Sequence, residues 1–223
     1  MLPRTLIDTA EIPGGGTLRL IRRGEEWSIM LGANELMNSR LSGSEEALAE
    51  LALERTGAAA PQVLIGGLGM GFTLRAALAR LGPEGRLVVA ELVPAVVDWA
   101  RGPMAALFAG SLDDPRVEVA VADVADVIAD AAGGYDAILL DVDNGPDGIT
   151  HPGNDRLYSA AGLALARRAL RPGGVLALWS SGPDAAFTRR LQRTGAAVEE
   201  VVVRAHKGRC GARHTIWLAH WSR

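Results

Sequence analysis

VLIGGLGMGFTLR, residues 63–75, decides how the rest of the chain is read. Val63, Leu64 and Ile65 form an apolar run that suits a parallel strand covered on both faces. Gly66, Gly67, Gly69 and Gly71 then turn the chain into a helical pattern. Glycines at such a turn let backbone approach a ligand closely and aim amide N–H groups and a helix N-terminus at it. A tight turn with no ligand has the same glycines, so the distinction rests on the acids that follow.

Downstream of Val63, strand and helix alternate. The pattern predicts strands at 63–66, 86–91, 116–121, 135–141 and 174–180, with helices at 71–81, 94–108, 123–131, 159–170 and 184–193. Gly82-Pro83, Gly133-Gly134 and Pro172-Gly173-Gly174 punctuate the joins. This alternation predicts a doubly wound, mostly parallel sheet. Two late strands, 198–203 and 214–218, joined across 204–213, add an antiparallel hairpin at its end. Upstream, residues 1–16 end in a Gly-rich turn, and 18–22 pairs with 27–31 as a β-hairpin. Ser42 or Ser44, followed by Glu45 and Glu46, marks the start of a helix running to about Arg55. The expected division is therefore a short hairpin and helix over 1–58 and a ligand-binding domain over 59–223.

Composition excludes several function classes. The net charge of −3 and pI near 5.8 give no reason to expect nucleic acid as an obligatory partner. Cys210 is the single cysteine, which rules out an internal disulfide. No apolar run reaches the roughly 20 residues a membrane span needs. Arg4, Asp8 and Glu11 interrupt any signal-peptide core. A cytoplasmic setting without membrane contact is the expectation. The basic segment with Arg204, His206, Lys207, Arg209, Arg213 and His214 reads as a solvated hairpin tip, because no aromatic residues interleave with it. His151 and His220 lack partners at metal-ligand spacing, so no metal is expected.

Ligands of open parallel sheets sit at the carboxyl ends of the strands, and acids occupy three of those ends. Glu91 follows Gly67 by 24 residues, the position from which a carboxylate reaches ribose hydroxyls; an acid lodged beside the next helix is the alternative. Asp123 can take the exocyclic amine of adenine or cap the helix behind it. The segment DVDNGPD at 141–147 places Asp141 and Asp143 on one side of an extended chain next to the glycine turn. Such acids hold a cationic ligand or take a proton from an amine. Asp136, at the other end of that strand, reads as structural. Trp27, Trp99, Trp179 and Trp217 read as core or pocket wall.

A strand-rich end of this kind resembles the Rossmann-like class I S-adenosylmethionine-dependent methyltransferase fold, with its seven-stranded sheet. More specifically, VLIGGLGMGFTLR (63–75), VAELVPAVV (89–97), YDAILLD (135–141), LYS (157–159) and LRPGGV (170–175) resemble the polyamine aminopropyltransferases, or spermidine synthases, over about Trp27 to Thr194. The resemblance implies a nucleoside pocket of Gly66, Gly67, Gly69, Met70, Gly71, Glu91, Leu92, Asp123, Val124 and Asp141. It implies S-adenosylmethionine or its decarboxylated form as co-substrate, and catalytic roles for Asp141, Asp143 and Asn144. The implied partner is a small-molecule amine, and exposed edge strands are compatible with a homodimer. Three departures qualify the substrate. Met70 stands where the family has an amino-binding Asp, and Asn144 or Asp143 stands at the second loop acid. Ser44-Glu45-Glu46 replaces Tyr-His-Glu, so that only Glu46 matches. Most of the family's N-terminal β-domain is expected to be missing or cut to the single hairpin. Aminopropyl transfer, methyl transfer to a small molecule and a non-catalytic nucleoside-binding module all remain open, with a nicotinamide dehydrogenase as the weakest reading.

Overall fold

The structure is a computed structural model that describes residues 2–142, 155–206 and 211–222. Its frame is a seven-stranded sheet built as expected. The strands are β5 (Gln62–Gly66), β6 (Arg86–Glu91), β7 (Val117–Val121), β8 (Tyr135–Leu140), β9 (Leu170–Ser180), β10 (Ala197–Arg204) and β11 (Arg213–His220), in the order β10-β11-β9-β8-β5-β6-β7. β5 through β9 pair in parallel, and β11 runs antiparallel between β9 and β10. The order reverses beside β5, so a crevice opens at its carboxyl end, where the glycine turn lies.

Alternation along the strands divides the core into two layers. Val63, Ile65, Leu87, Val89, Leu139 and Ala177 face one cluster; Leu64, Ala90, Ile138, Leu140, Leu176 and Leu178 face the other. This is the period-two pattern of a sheet buried on both sides. The first layer is covered by α1 (Gly43–Thr56), α2 (Phe72–Arg80) and α3 (Pro94–Arg101), and the second by α5 (Val124–Asp130), α7 (Ala160–Ala169) and α8 (Ala185–Arg193).

Three expectations need correction. The helix expected over 94–108 is broken into α3 and α4 (Ala105–Phe108), because Gly102-Pro103 removes a helical N–H and disfavours helical backbone before it. β9 starts at Leu170 and runs through Pro172-Gly173-Gly174, with a register shift against β8. The largest difference is at the N-terminus. The expected single hairpin is the centre of a four-stranded antiparallel sheet, β1 (Thr5–Glu11), β2 (Thr17–Arg23), β3 (Glu26–Leu31) and β4 (Asn34–Asn38), paired in sequence order. Leu18, Leu20, Trp27 and Ile29 of β2 and β3 are buried in the same layer as α1 to α3, so this sheet packs onto the larger one. Asp8 of β1 accepts a hydrogen bond from the Trp99 indole at 2.7 Å, which ties the edge strand to α3.

Candidate active site

The glycine turn is held from three sides. Gly67 donates its N–H to the carbonyl of Ala90 at 2.8 Å, and Asp141 donates to the carbonyl of Gly66 at 2.9 Å. Gly67 has φ +91°, and a Cβ there would lie 2.4 Å from the main-chain oxygen of Asp141. Gly71, at φ +76°, leaves room for the Phe108 ring, 2.4 Å from where its Cβ would be. Only glycine fits either place.

Around this turn lies one cleft with two connected halves. The outer half, about 810 Å³, is lined by Gly67, Gly69, Glu91, Leu92, Val93, Asp123, Val124, Asp141 and Val142, with Ile12, Leu18, Ile29, Leu36 and Met37 of the N-terminal sheet opposite. The inner half, about 630 Å³, is lined by Leu36, Met37, Glu45, Leu68, Gly69, Met70, Gly71, Phe72, Asp141 and Trp179. Asp141 belongs to both and marks where they meet. Leu36, Met37 and Gly69 are also shared. A Cβ on Gly69 would sit 3.2 Å from the Met37 sulfur, so β4 roofs the turn directly.

The structure therefore gathers most of the residues singled out in the sequence. Glu91, Leu92, Asp123, Val124, Gly67 and Gly69 share the outer half, and Met70 and Gly71 lie in the inner half. Gly66 lines neither; a Cβ on it would sit 2.9 Å from Val124, so its part is to let α5 pack against the strand end. Asp143 and Asn144 lie outside the described residues, as do Asp147, His151, Lys207, Arg209 and Cys210. Asp136 sits at the far end of β8, accepting from the Gln62 amide at 2.8 Å and from Arg171 at 2.7 Å, a structural position as read.

Glu91 and Asp123 are already fixed by the fold. The two oxygens of Glu91 accept from the amides of Leu68 and Val93, each at 2.9 Å. Burial raises its proton affinity, and those amides work against the rise. The amides of Gly69 and Leu92 also favour its charged form. Asp123 caps α5 through the Ala125 amide at 2.8 Å, so the capping alternative is realised. Its other oxygen pairs at 2.7 Å with Arg156 of α6 (Asp155–Tyr158).

The inner half is electrostatically different. Asp141 Oδ2 accepts from the Thr73 hydroxyl at 2.5 Å. Burial first, then the charge of Glu45, push its pKa up to about 7 against that bond. Burial likewise raises Glu45, opposed by the Ser44 hydroxyl that donates to it at 2.7 Å. Ser44, fully buried, also meets Nδ1 of His214 on β11 at 2.8 Å. Thus Ser44 does not cap α1; Ser42 holds the N-cap position, without a side-chain bond. The His214 ring packs edge-on against Trp179 at 4.7 Å, and burial keeps it less basic than usual. The Trp179 indole nitrogen is buried with no hydrogen-bond partner among the described residues.

Sequence reasoning missed Glu45 and the roof residues Leu36 and Met37. The matched acid, Glu46, lines a separate surface cavity with Glu50 and Arg80. A signal for Glu45 existed: with the buried Leu48, Ala49 and Ala52 it stands at i, i+3, i+4 and i+7, an acid on the core-facing stripe of a helix. Among the described residues, no group of three or more His, Cys, Asp or Glu is placed to hold a metal ion. None of their helices is long and apolar enough to cross a membrane.

Comparison with known proteins bears on this geometry. The model of the spermine/spermidine synthase domain matches residues 42–191. The polyamine aminopropyltransferase of Mycobacterium tuberculosis (strain H37Rv) is 40% identical over 127 residues, 56% of this chain and 23% of that protein. Putrescine N-methyltransferase 4 of Nicotiana tabacum is 39% identical over 116 residues, 52% of this chain and 28% of that protein. The chain thus spans about a quarter of the length of these relatives. Among solved structures, spermidine synthase from Thermotoga maritima superposes with a TM-score of 0.76 at 18% identity, covering 96% of this chain and 72% of that one. A spermidine synthase in complex with the transition-state analogue AdoDATO gives 0.75 at 18% identity, covering 96% and 71%. These structures share the fold.

Proposed function

We propose that the cleft moves an aminopropyl group from decarboxylated S-adenosylmethionine to a small amine, starting from the fact that the chain belongs to the spermine/spermidine synthase family. The observation that carries the donor choice is the charge of the inner half. It holds two carboxylates, Glu45 and Asp141, and no cationic side chain among its described residues. The donor's arm must enter that half from a sulfonium at the junction. An intact methionine arm ends in a carboxylate as well as an ammonium, and two acids with no cation repel it; a decarboxylated arm ends in an ammonium alone and is attracted.

The outer half takes the nucleoside. Glu91 accepts from the ribose hydroxyls, and Leu92, Val93 and Val124 pack on the base, with Asp123 at its edge. Asp141 stands where the halves meet and receives the proton of the incoming ammonium, to which its proton affinity near neutrality is suited. The freed amine nitrogen forms its bond to the methylene carbon beside sulfur. The carbon–sulfur bond breaks, and its electron pair returns to sulfur as a thioether. Holding both reactants in the cleft supplies much of the acceleration. Asp143 and Asn144, next along the chain, complete the acceptor site in this reading.

Incubation with putrescine and the decarboxylated donor, read by mass spectrometry, is expected to yield spermidine and methylthioadenosine. Absence of both overturns the reading. A second reading, methyl transfer to an amine, is favoured by the apolar Met70 and by the tobacco relative. N-methylputrescine formed from intact S-adenosylmethionine would establish it instead.

A further inference from the structure

Between Leu157 and Ala196 the chain has six arginines and one acid, Asp184, although its net charge is −3. Asp184 is engaged at the N-cap of α8, where it accepts from the amides of Ala186 and Phe187. Three of the arginines gather at the other end of the helices. Arg167 lies in the last turn of α7, and Arg190 and Arg193 lie in the last turn of α8. Together they line a groove of about 830 Å³, completed by Ala160, Ala164 and Thr194. No carboxylate lines it, and it shares no residue with either half of the cleft.

Arginines elsewhere on the surface meet acids: Arg23, Arg55, Arg116 and Arg156 each pair with a carboxylate at 2.5 to 2.8 Å. Among the described residues, none of the three in the groove does. Their partners are neutral. Arg167 donates to the Thr194 carbonyl at 3.4 Å, with its guanidinium 6.0 Å from the centre of the Trp221 ring, and Arg190 donates to the Tyr158 carbonyl at 3.2 Å. A helix C-terminus favours a cation, which accounts for part of the pattern. Each such end has about half a negative charge, so two ends offset about one of the three positive charges and leave about two. Like charges gathered on one groove repel one another, a cost that a bound anion removes.

Arg190 and Arg193 stand one turn apart on the same side of α8, with Arg167 contributed by the facing helix. Guanidinium forks pair bidentately with the oxygens of phosphate and carboxylate alike. Linked phosphates concentrate several charges in one compact chain, whereas the carboxylates of a peptide stand on separate side chains whose ordering costs entropy. The alanine floor offers no aromatic face on which a nucleobase could stack, so the charged chain itself is what the groove can recognise.

We propose that the groove between α7 and α8 binds an oligophosphate, a chain of two or more linked phosphates, free or as the tail of a nucleotide, with Arg167, Arg190 and Arg193 gripping it. This site does not depend on the transferase reading and stands if that reading falls.

The test is calorimetric titration of inorganic tripolyphosphate into the full-length protein. One-to-one binding is expected, weakening about fivefold or more as NaCl rises from about 50 to about 200 mM. Arg167→Gln and Arg193→Gln should each lower the affinity about tenfold or more. Arg189→Gln removes an exposed charge of α8 outside the groove lining and should lower it about twofold or less. Arg190 is left in place because it also holds the Tyr158 carbonyl. ATP bound with the same dependence on Arg193 extends the site to a nucleotide's tail; ATP unbound beside bound tripolyphosphate assigns it to the free chain. No binding of tripolyphosphate, an equal loss in Arg189→Gln, or citrate bound as tightly as tripolyphosphate overturns the proposal. So does RNA bound by a protein that leaves tripolyphosphate in solution.

Discussion

Glu91 ends β6 and Asp141 follows β8, the strands on either side of β5, and burial raises the proton affinity of both, yet their surroundings differ in kind. Glu91 is met by backbone amides, those of Leu68 and Val93 at 2.9 Å and those of Gly69 and Leu92 besides, all part of the strand ends and the glycine turn. Asp141 receives one hydroxyl, from Thr73, and faces another carboxylate. A carboxylate met by fixed amides is compensated when charged and serves as an acceptor. One that shares its space with a second acid is poised between its two states, which is what a proton acceptor requires. The comparison separates holding from reacting within a single cleft.

The sharpest way to break it is Asp141→Asn. The expected loss in kcat/KM is about 10²- to 10⁴-fold, with nucleoside affinity measured by calorimetry nearly unchanged. Loss of affinity without loss of turnover would reverse the roles. The same variant carries a stability signature. The folded-state pKa of Asp141 lies above the ordinary aspartate value of 3.8, so the native state binds the extra proton between about pH 4 and 7 and stability falls as pH rises through that window. Asparagine keeps an acceptor for Thr73 and removes the titration, so Asp141→Asn should melt higher than the parent at pH 8 and converge with it toward pH 4.

Gly67→Ala tests whether the two acids share one rigid frame, because its Cβ would strike the main chain of Asp141 and its φ is strained for alanine. The expected cost is about 3 kcal/mol in urea unfolding, accompanied by loss at both halves of the cleft. Next in size is Glu91→Gln. An uncharged acceptor meets the same amides less strongly and offers them an NH₂ group on one side, so nucleoside affinity should fall about tenfold or somewhat more, with the pH profile of turnover unmoved. The smallest expected effect is the profile itself. In the parent, kcat/KM should rise about tenfold per unit below an apparent pKa near 7 that belongs to the Glu45–Asp141 pair, and Glu45→Gln should move that midpoint down. A midpoint that ignores Glu45 would show that the two acids do not interact.

Much of this was legible in the sequence because the signals were local. The apolar run before Gly66, the acids after β6 and β8 and the glycine–proline joins all report on their own neighbourhoods, and the sheet order follows from alternation and handedness. What escaped was decided by packing at a distance. β1 was hidden by the glycine-rich turn after it, and β4, Asn34–Asn38, has no clean polar–apolar alternation because β-pairing and the cleft claim its side chains together. Ser44 looked like a cap since nothing nearby announces His214. Glu45 and Glu46 are identical in type and adjacent in sequence; the turn of the helix sends one to the cleft and the other to the outer surface.

The bond between Ser44 and His214 joins residues 170 positions apart, and β11, which carries His214, enters the sheet between two strands already made. The roof of the cleft, on β4, leaves the ribosome well before β11, which carries the partner of Ser44 beside Glu45. A growing chain can thus acquire its glycine turn and nucleoside wall long before Glu45 is braced. The inner half is thus completed only once β11 has entered the sheet, and the Ser44–His214 bond reports that it has found its place.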